Sequence, residues 1–412
     1  MENKEYDVPE KTAGYIRAEG QYGAHNYHPL PVVLDRGVGA CVWDVEGKRY
    51  FDFLSGYSAV NQGHCHPKII AALTSQAQQL TLTSRAFHSD KMAEYTEYIT
   101  QYFGYDKVLP MNTGVEAVET ALKLARKWGY VVKGVPDGQA KIITAEGNFH
   151  GRTINVISFS TDPTAREGFG PFIPGYVTIP YNDLEALRRA LEDENVVAFL
   201  VEPIQGEAGV YVPDDGYLAA ANALCKEQQV LFIGDEIQTG LSRTGKLLAC
   251  DHENVRPDIL ILGKALSGGV MPISAVLADD EIMLTIAPGE HGSTYGGNPL
   301  ACAVAIASLK VLKDENLSER AAELGTYFRT ELNKLAHPAI EQVRGKGLLN
   351  AIVIRHINTN AADILCLELL KNGLLAKPTH GDKIRFAPPL VISREELADA
   401  IKVIRKSLSV LD

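Results

Sequence analysis

Six short apolar runs, rich in β-branched residues, recur between residues 107 and 278, and segments with helical spacing separate several of them. The runs are KVLPM (107–111), KIITA (141–145), VVAFLVEP (196–203), VLFIGDE (230–236), DILILG (258–263) and ISAVLA (273–278). Helices are expected over 115–128, 217–229 and 299–313. Such alternation specifies an α/β domain with a mostly parallel central sheet covered by helices. Runs such as VVAFLV are apolar at every position, as strands are when helices cover both faces.

The flanks read differently. Residues 1–40 are rich in Tyr, His, Pro and Gly without a clear period, and an irregular arm is expected there. CVWDVEGKRYFDF (41–53) alternates about Glu46-Gly47, as a hairpin does. Helices are expected over 67–80 and 89–103, the second capped by Ser89. Beyond residue 315 come helix 318–335, GLLNAIVI, helix 361–371, LLAK, KIRFAPPL and helix 394–410, which suit a smaller α/β domain. The expected division is an arm and hairpin segment over 1–55, a large domain over 56–315 and a small domain over 316–412.

Composition narrows the function. Forty Lys and Arg against 51 Asp and Glu give a net charge of −11, which repels phosphate backbones and anionic lipid. Neither nucleic acid nor membrane is an expected partner, and no segment reaches the roughly 20 apolar residues needed to span a bilayer. Six cysteines without a C-x-x-C pair suit reduced thiols. The N-terminal MENKEYDVPEK is acidic and lacks an apolar stretch. Cytosol is therefore expected, with the mitochondrial matrix open if a presequence was removed. His64-Cys65-His66 lacks a second cluster at zinc-like spacing, so no metal is expected. Gly240 to Lys246 matches G-x-x-x-x-G-K, but Leu247 stands where a nucleotide loop needs Ser or Thr.

In open parallel sheets ligands bind beyond the carboxyl ends of strands. VLFIG ends in Asp235, and DILILG runs into Lys264 among small residues. A Lys partly withdrawn from water becomes nucleophilic. KVLPM leads into Asn112-Thr113-Gly114-Val115-Glu116, a helix start whose free N–H groups suit a phosphate. KIITA leads to Phe149, a possible ring platform. Each has an ordinary alternative: a helix cap, a snorkelling Lys, a tucked aromatic. Anion cradle, ring platform, acid and Lys at four strand ends together suggest pyridoxal phosphate, which needs an amine, a carboxylate for its pyridine nitrogen and a phosphate site.

The stretches GAHNYHPLPV, NQGHCHP, LTSRAF, MNTGVEAVETALKLARKWGY, VEPIQGEAGV, DEIQTGLSRTG, LGKALSGG, GEHGSTYGGNPL, VRGKGLLNA and RFAPPL carry a closer likeness. With them the chain resembles the class III, ornithine-type aminotransferases of pyridoxal-phosphate fold type I, over nearly its whole length. The resemblance implies that Lys264 binds the cofactor covalently and shuttles the proton. It implies that Asp235 pairs with the pyridinium nitrogen and Gln238 with the phenolic oxygen. Gly114 and Val115 would bind the phosphate, and Phe149 would stack on the ring. Thr294 would reach the phosphate of a neighbouring subunit, implying a homodimer with shared sites and leaving a higher oligomer open.

The same resemblance implies a ping-pong transfer of the δ-amino group of L-ornithine to 2-oxoglutarate. The products would be glutamate and glutamate 5-semialdehyde, which closes to pyrroline-5-carboxylate and belongs to proline and arginine metabolism. Arg152 and Tyr27 would grip the ornithine carboxylate, and Tyr57 would shape the pocket. Arg385 would anchor the oxo acid, and Glu207 would mask Arg385 while ornithine is bound. The alternative is another class III activity, on N-acetylornithine or 4-aminobutyrate. His150 follows Phe149 and receives no role.

Overall fold

The computed structural model describes residues 8–355, 360–379 and 381–412; the first seven residues of the expected arm lie outside these. Strands β1 (Leu34–Val38), β2 (Cys41–Asp44) and β3 (Arg49–Asp52) pair antiparallel. The turn between β2 and β3 forms at Glu46-Gly47 as expected. Asp44 Oδ1 accepts from the N–H groups of Glu46 and Lys48 at 3.0 and 2.8 Å, and Gly47 takes φ +86°, which suits a residue without Cβ. The arm is not irregular throughout: Glu10–Tyr22 is a helix. It buries only Thr12, so it carries no apolar stripe from which a helical period could be read. Thr12 ties it to the hairpin, its N–H and Oγ1 donating to Glu46 Oε1 at 3.2 and 3.0 Å.

The central sheet contains β4 (Lys107–Met111), β5 (Lys141–Ala145), β6 (Tyr176–Ile179), β7 (Val196–Val201), β8 (Leu231–Asp235), β9 (Ile259–Leu262) and β10 (Ser274–Ala278). Their order is β4-β10-β9-β8-β7-β5-β6. Six of these strands run in one direction and β10 alone runs opposite to them. All residues of β7 and β8 are buried, which accounts for the unbroken apolar sequence of β7 and of β8 up to Asp235. β6, absent from the sequence reading, is a short edge strand with one exposed and two half-buried residues.

Beyond helices Pro299–Asp314 and Leu317–Lys334 lie β11 (Ile340–Lys346), β12 (Leu349–Ile354), β13 (Leu374–Leu375), β14 (Lys377–Thr379) and β15 (Lys383–Phe386). An antiparallel sheet of order β11-β12-β15-β14 results. β13 instead pairs parallel with β3, Leu374 opposite Phe51 and Leu375 opposite Asp52. Three fully buried rings seal the junction: Phe53, Phe328 and Phe386 have centroids 5.8–5.9 Å apart. Each buried side chain of this size is worth about 1.5–3 kcal/mol. The cluster fixes the end of β15, next to Arg385. Among the described residues no helix is long and apolar enough to cross a membrane.

Candidate active site

The carboxyl ends of the central strands open on a cavity of about 200 Å³ lined by Gly114, Val115, Phe149, His150, Gly151, Glu202, Asp235, Ile237, Gln238 and Lys264. Lys264 starts a short 3₁₀ turn after β9 with φ +43°, a left-handed conformation that costs an L-residue about 1–2 kcal/mol. Its amine makes no hydrogen bond or ion pair among the described residues. Burial lowers its pKa, Glu207 opposes that shift, and Arg385 adds to it.

Asp235 closes β8 and is buried. Its Oδ1 accepts from the Ile237 N–H at 3.1 Å, and its Oδ2 lies 2.6 Å from His150 Nδ1. Gly114 and Val115 open helix Gly114–Trp128. Glu116 Oε2 accepts from the N–H groups of Asn112 and Thr113 at 3.0 and 2.7 Å. The next two N–H groups, at the first helical positions, have no intrahelical acceptor and lie at the positive end of the helix. A Cβ on Gly114 would meet Ile237 Cδ1 at 3.1 Å, so the bare glycine keeps the cradle open.

A second cavity of about 950 Å³ adjoins the first through Phe149, and Tyr27, Tyr57, Arg152, Glu207 and Arg385 all line it. Arg385 Nη1 donates to Glu207 Oε1 at 2.8 Å and to Gln238 Oε1 at 3.1 Å, and Gln238 Nε2 donates to Glu207 Oε1 at 2.8 Å. Burial alone would raise the Glu207 carboxyl. The charges of Arg385 and Lys264, with hydrogen bonds from Arg385 and Gln238, outweigh it and hold the carboxyl at about 2. Arg152 has no ion-pair partner among the described residues, and its guanidinium lies 5.5 Å from the Phe149 ring centroid. Tyr57 sits on a turn in which Ser55, Gly56, Tyr57 and Ser58 all have positive φ. Asp52 Oδ1 accepts from the N–H groups of Leu54 and Ser55, and Ser55 Oγ donates to Ala387 O at 2.7 Å. The Tyr57 turn and the strand bearing Arg385 are thus mounted together.

Eleven of the twelve residues expected from the sequence line these two cavities. Thr294 does not; it is exposed on the loop before helix Pro299–Asp314. Two further residues belong to the cavity. Glu202 follows β7, and its carboxylate accepts from the Phe149 N–H at 2.9 Å. Burial raises its carboxyl to about 7, with Asp235 adding to the rise and His150 and Lys264 opposing it. An ionisable residue directly after six apolar ones was the available signal. His150, left without a role, bonds Asp235 directly.

A family model described as Aminotransferase class-III matches residues 22–408. The mitochondrial ornithine aminotransferase of Rattus norvegicus is 64% identical over 400 residues, covering 97% of this chain and 91% of that protein. A solved ornithine aminotransferase from Toxoplasma gondii, described with partial occupancy of PLP at its active site, superposes with TM-score 0.96 at 52% identity, covering 97% of this chain and 94% of that one. An acetylornithine aminotransferase structure from Elizabethkingia anophelis has TM-score 0.89 and 58% identity, covering 97% and 99%.

Proposed function

The chain belongs to the class III aminotransferases, and on that premise we propose how its two cavities divide the work of a pyridoxal-phosphate enzyme. It is an ornithine aminotransferase in activity: the δ-amino group of L-ornithine passes to 2-oxoglutarate, leaving glutamate 5-semialdehyde. The residues lining the smaller cavity suit the cofactor. A withdrawn amine, unpartnered among the described residues, faces a buried carboxylate, an aromatic ring and an uncovered helix start. This convergence carries the assignment of roles.

Lys264 would hold the cofactor through Nζ, with Asp235 against its ring nitrogen and Gln238 near its phenolic oxygen. The N–H groups of Gly114 and Val115 would take the phosphate, and Phe149 would cover the ring. When bound, the cofactor supplies an electron sink for charge developing on the reacting carbon of the substrate. Lys264 contributes a proton acceptor and donor at Nζ, and its lowered pKa enlarges the neutral fraction that can accept.

The larger cavity sorts substrates. Arg152, free of a carboxylate partner among the described residues, would bind the ornithine carboxylate with Tyr27, while Tyr57 would limit the pocket. Glu207 neutralises Arg385 while ornithine is bound. A 2-oxoglutarate carboxylate would take its place, because a bidentate guanidinium–carboxylate pair has two charge-assisted bonds. Thr294, exposed in its own chain, suits a dimer in which it completes the partner's phosphate site. The division at residues 55 and 315 and residence in the cytosol belong to the same proposal; the rat relative is named mitochondrial.

The resemblance to an acetylornithine aminotransferase at 58% identity makes that activity the second reading. A parallel assay with ornithine, N-acetylornithine and 4-aminobutyrate decides between them. Ornithine should give the highest kcat/KM, and preference for N-acetylornithine overturns the assignment.

A further inference from the structure

The dipeptide Phe149-His150 is held by two buried carboxylates. Glu202 accepts from the backbone of Phe149, and His150 Nδ1 meets Asp235 Oδ2 at 2.6 Å. His150 and Asp235 are each 4% exposed, and both line the smaller cavity. Among the described residues the opposite ring nitrogen, Nε2, is buried without a partner, and the contact with Asp235 is the only hydrogen bond of the imidazole. An ionised carboxylate only accepts, so Nδ1 carries the shared proton. Rotation of an Asp carboxyl about χ2 is soft, and one backbone donor does not fix it.

We propose that His150 is a positioning residue: it donates Nδ1–H to Asp235 and locks the carboxylate in the orientation that meets the ring nitrogen of the cofactor. This rests on the reading of Asp235 given above. The electrostatics agree. Burial alone would lower the His150 pKa; the hydrogen bond and charge of Asp235, with the charge of Glu202, outweigh it and raise it. The imidazole is therefore more readily a cation, a stronger donor to a carboxylate. A packing role against Phe159, whose ring lies 5.9 Å away, would need only the shape of the side chain. A positioning role needs the donor.

The full-length protein tests this with His150→Leu, His150→Gln, His150→Asn and Asp235→Asn. Pyridoxal phosphate affinity and the visible circular dichroism of the bound cofactor are measured, and thermal unfolding of the cofactor-free proteins checks the fold. His150→Leu removes the donor and His150→Gln displaces it by one methylene; each should weaken binding about 10-fold and alter the dichroic band. His150→Asn, whose amide nitrogen stands near the Nδ1 position, should stay within about threefold and keep the band; in the Asp235→Asn background His150→Leu should add less than about twofold. Unchanged binding in Leu and Gln variants, equal impairment in Asn and Leu variants, or a full additive penalty overturns the inference. Failure of the unsubstituted protein to bind the cofactor would overturn the underlying reading as well.

Discussion

Arg385 Nη1 and Glu207 Oε1 lie 2.8 Å apart, joining β15 to the loop after β7 across the larger cavity. The Arg385 side chain is only 3% exposed. A guanidinium buried that deeply needs an anion, and the chain supplies its own. A substrate with a carboxylate at this position must displace Glu207, whereas one without it leaves the pair intact.

Replacing Glu207 with Ala should unmask Arg385 and admit α-amino donors. A charge-assisted hydrogen bond is worth about 1.5–3 kcal/mol, so kcat/KM for glutamate relative to ornithine should rise about 10- to 100-fold. Competing-donor kinetics measure this ratio, and an unchanged ratio removes the gate from the mechanism.

Lys264→Ala should abolish both the visible absorbance of bound cofactor and turnover. The cofactor-free variant should melt at or above the temperature of the unsubstituted protein, because the lost group is a buried amine withdrawn from water. Retained covalent attachment, detected by borohydride reduction and peptide mass mapping, would identify a different lysine.

Arg152→Lys keeps the charge and loses the fork. The KM for ornithine should rise about 10- to 100-fold with kcat changed only a few-fold, as expected when one charge-assisted hydrogen bond is lost. A fall in kcat at constant KM would move Arg152 from binding to chemistry.

Glu202 gives a pH signature. Its carboxyl is raised from 4.5 to about 7 in the folded protein, chiefly by burial. Below pH 4.5 folded and unfolded forms both hold the proton. Between 4.5 and about 7 only the folded form does, so stability falls as pH rises through this window and then levels off. Cofactor-free Glu202→Gln, neutral throughout, should lack this decline. Parallel slopes of melting temperature against pH would contradict the assignment.

Strands β7, β8 and β9 were readable because burial on both faces demands apolar side chains at nearly every position, as in Val196–Val201, whereas the part-exposed edge strand β6 was not. Helix Gly114–Trp128 was readable from Thr113 and Glu116 at its start. Helix Glu10–Tyr22 was not, since a helix burying one threonine leaves no period. The pairing of β3 with β13 is non-local, and no nearby residue announces it. At the site, the residues at strand ends could be found from the strands themselves. The Asp235–His150 bond could not, because it depends on how the turn after β5 folds back over β8.

The β3–β13 pairing also sets an order of events during synthesis. The ribosome delivers Arg49–Asp52 long before Leu374–Leu375, so the nascent hairpin waits with one edge unpaired. A chain stalled short of residue 374 exposes that edge to its neighbours on the polysome, and co-translational aggregation should concentrate in such incomplete products.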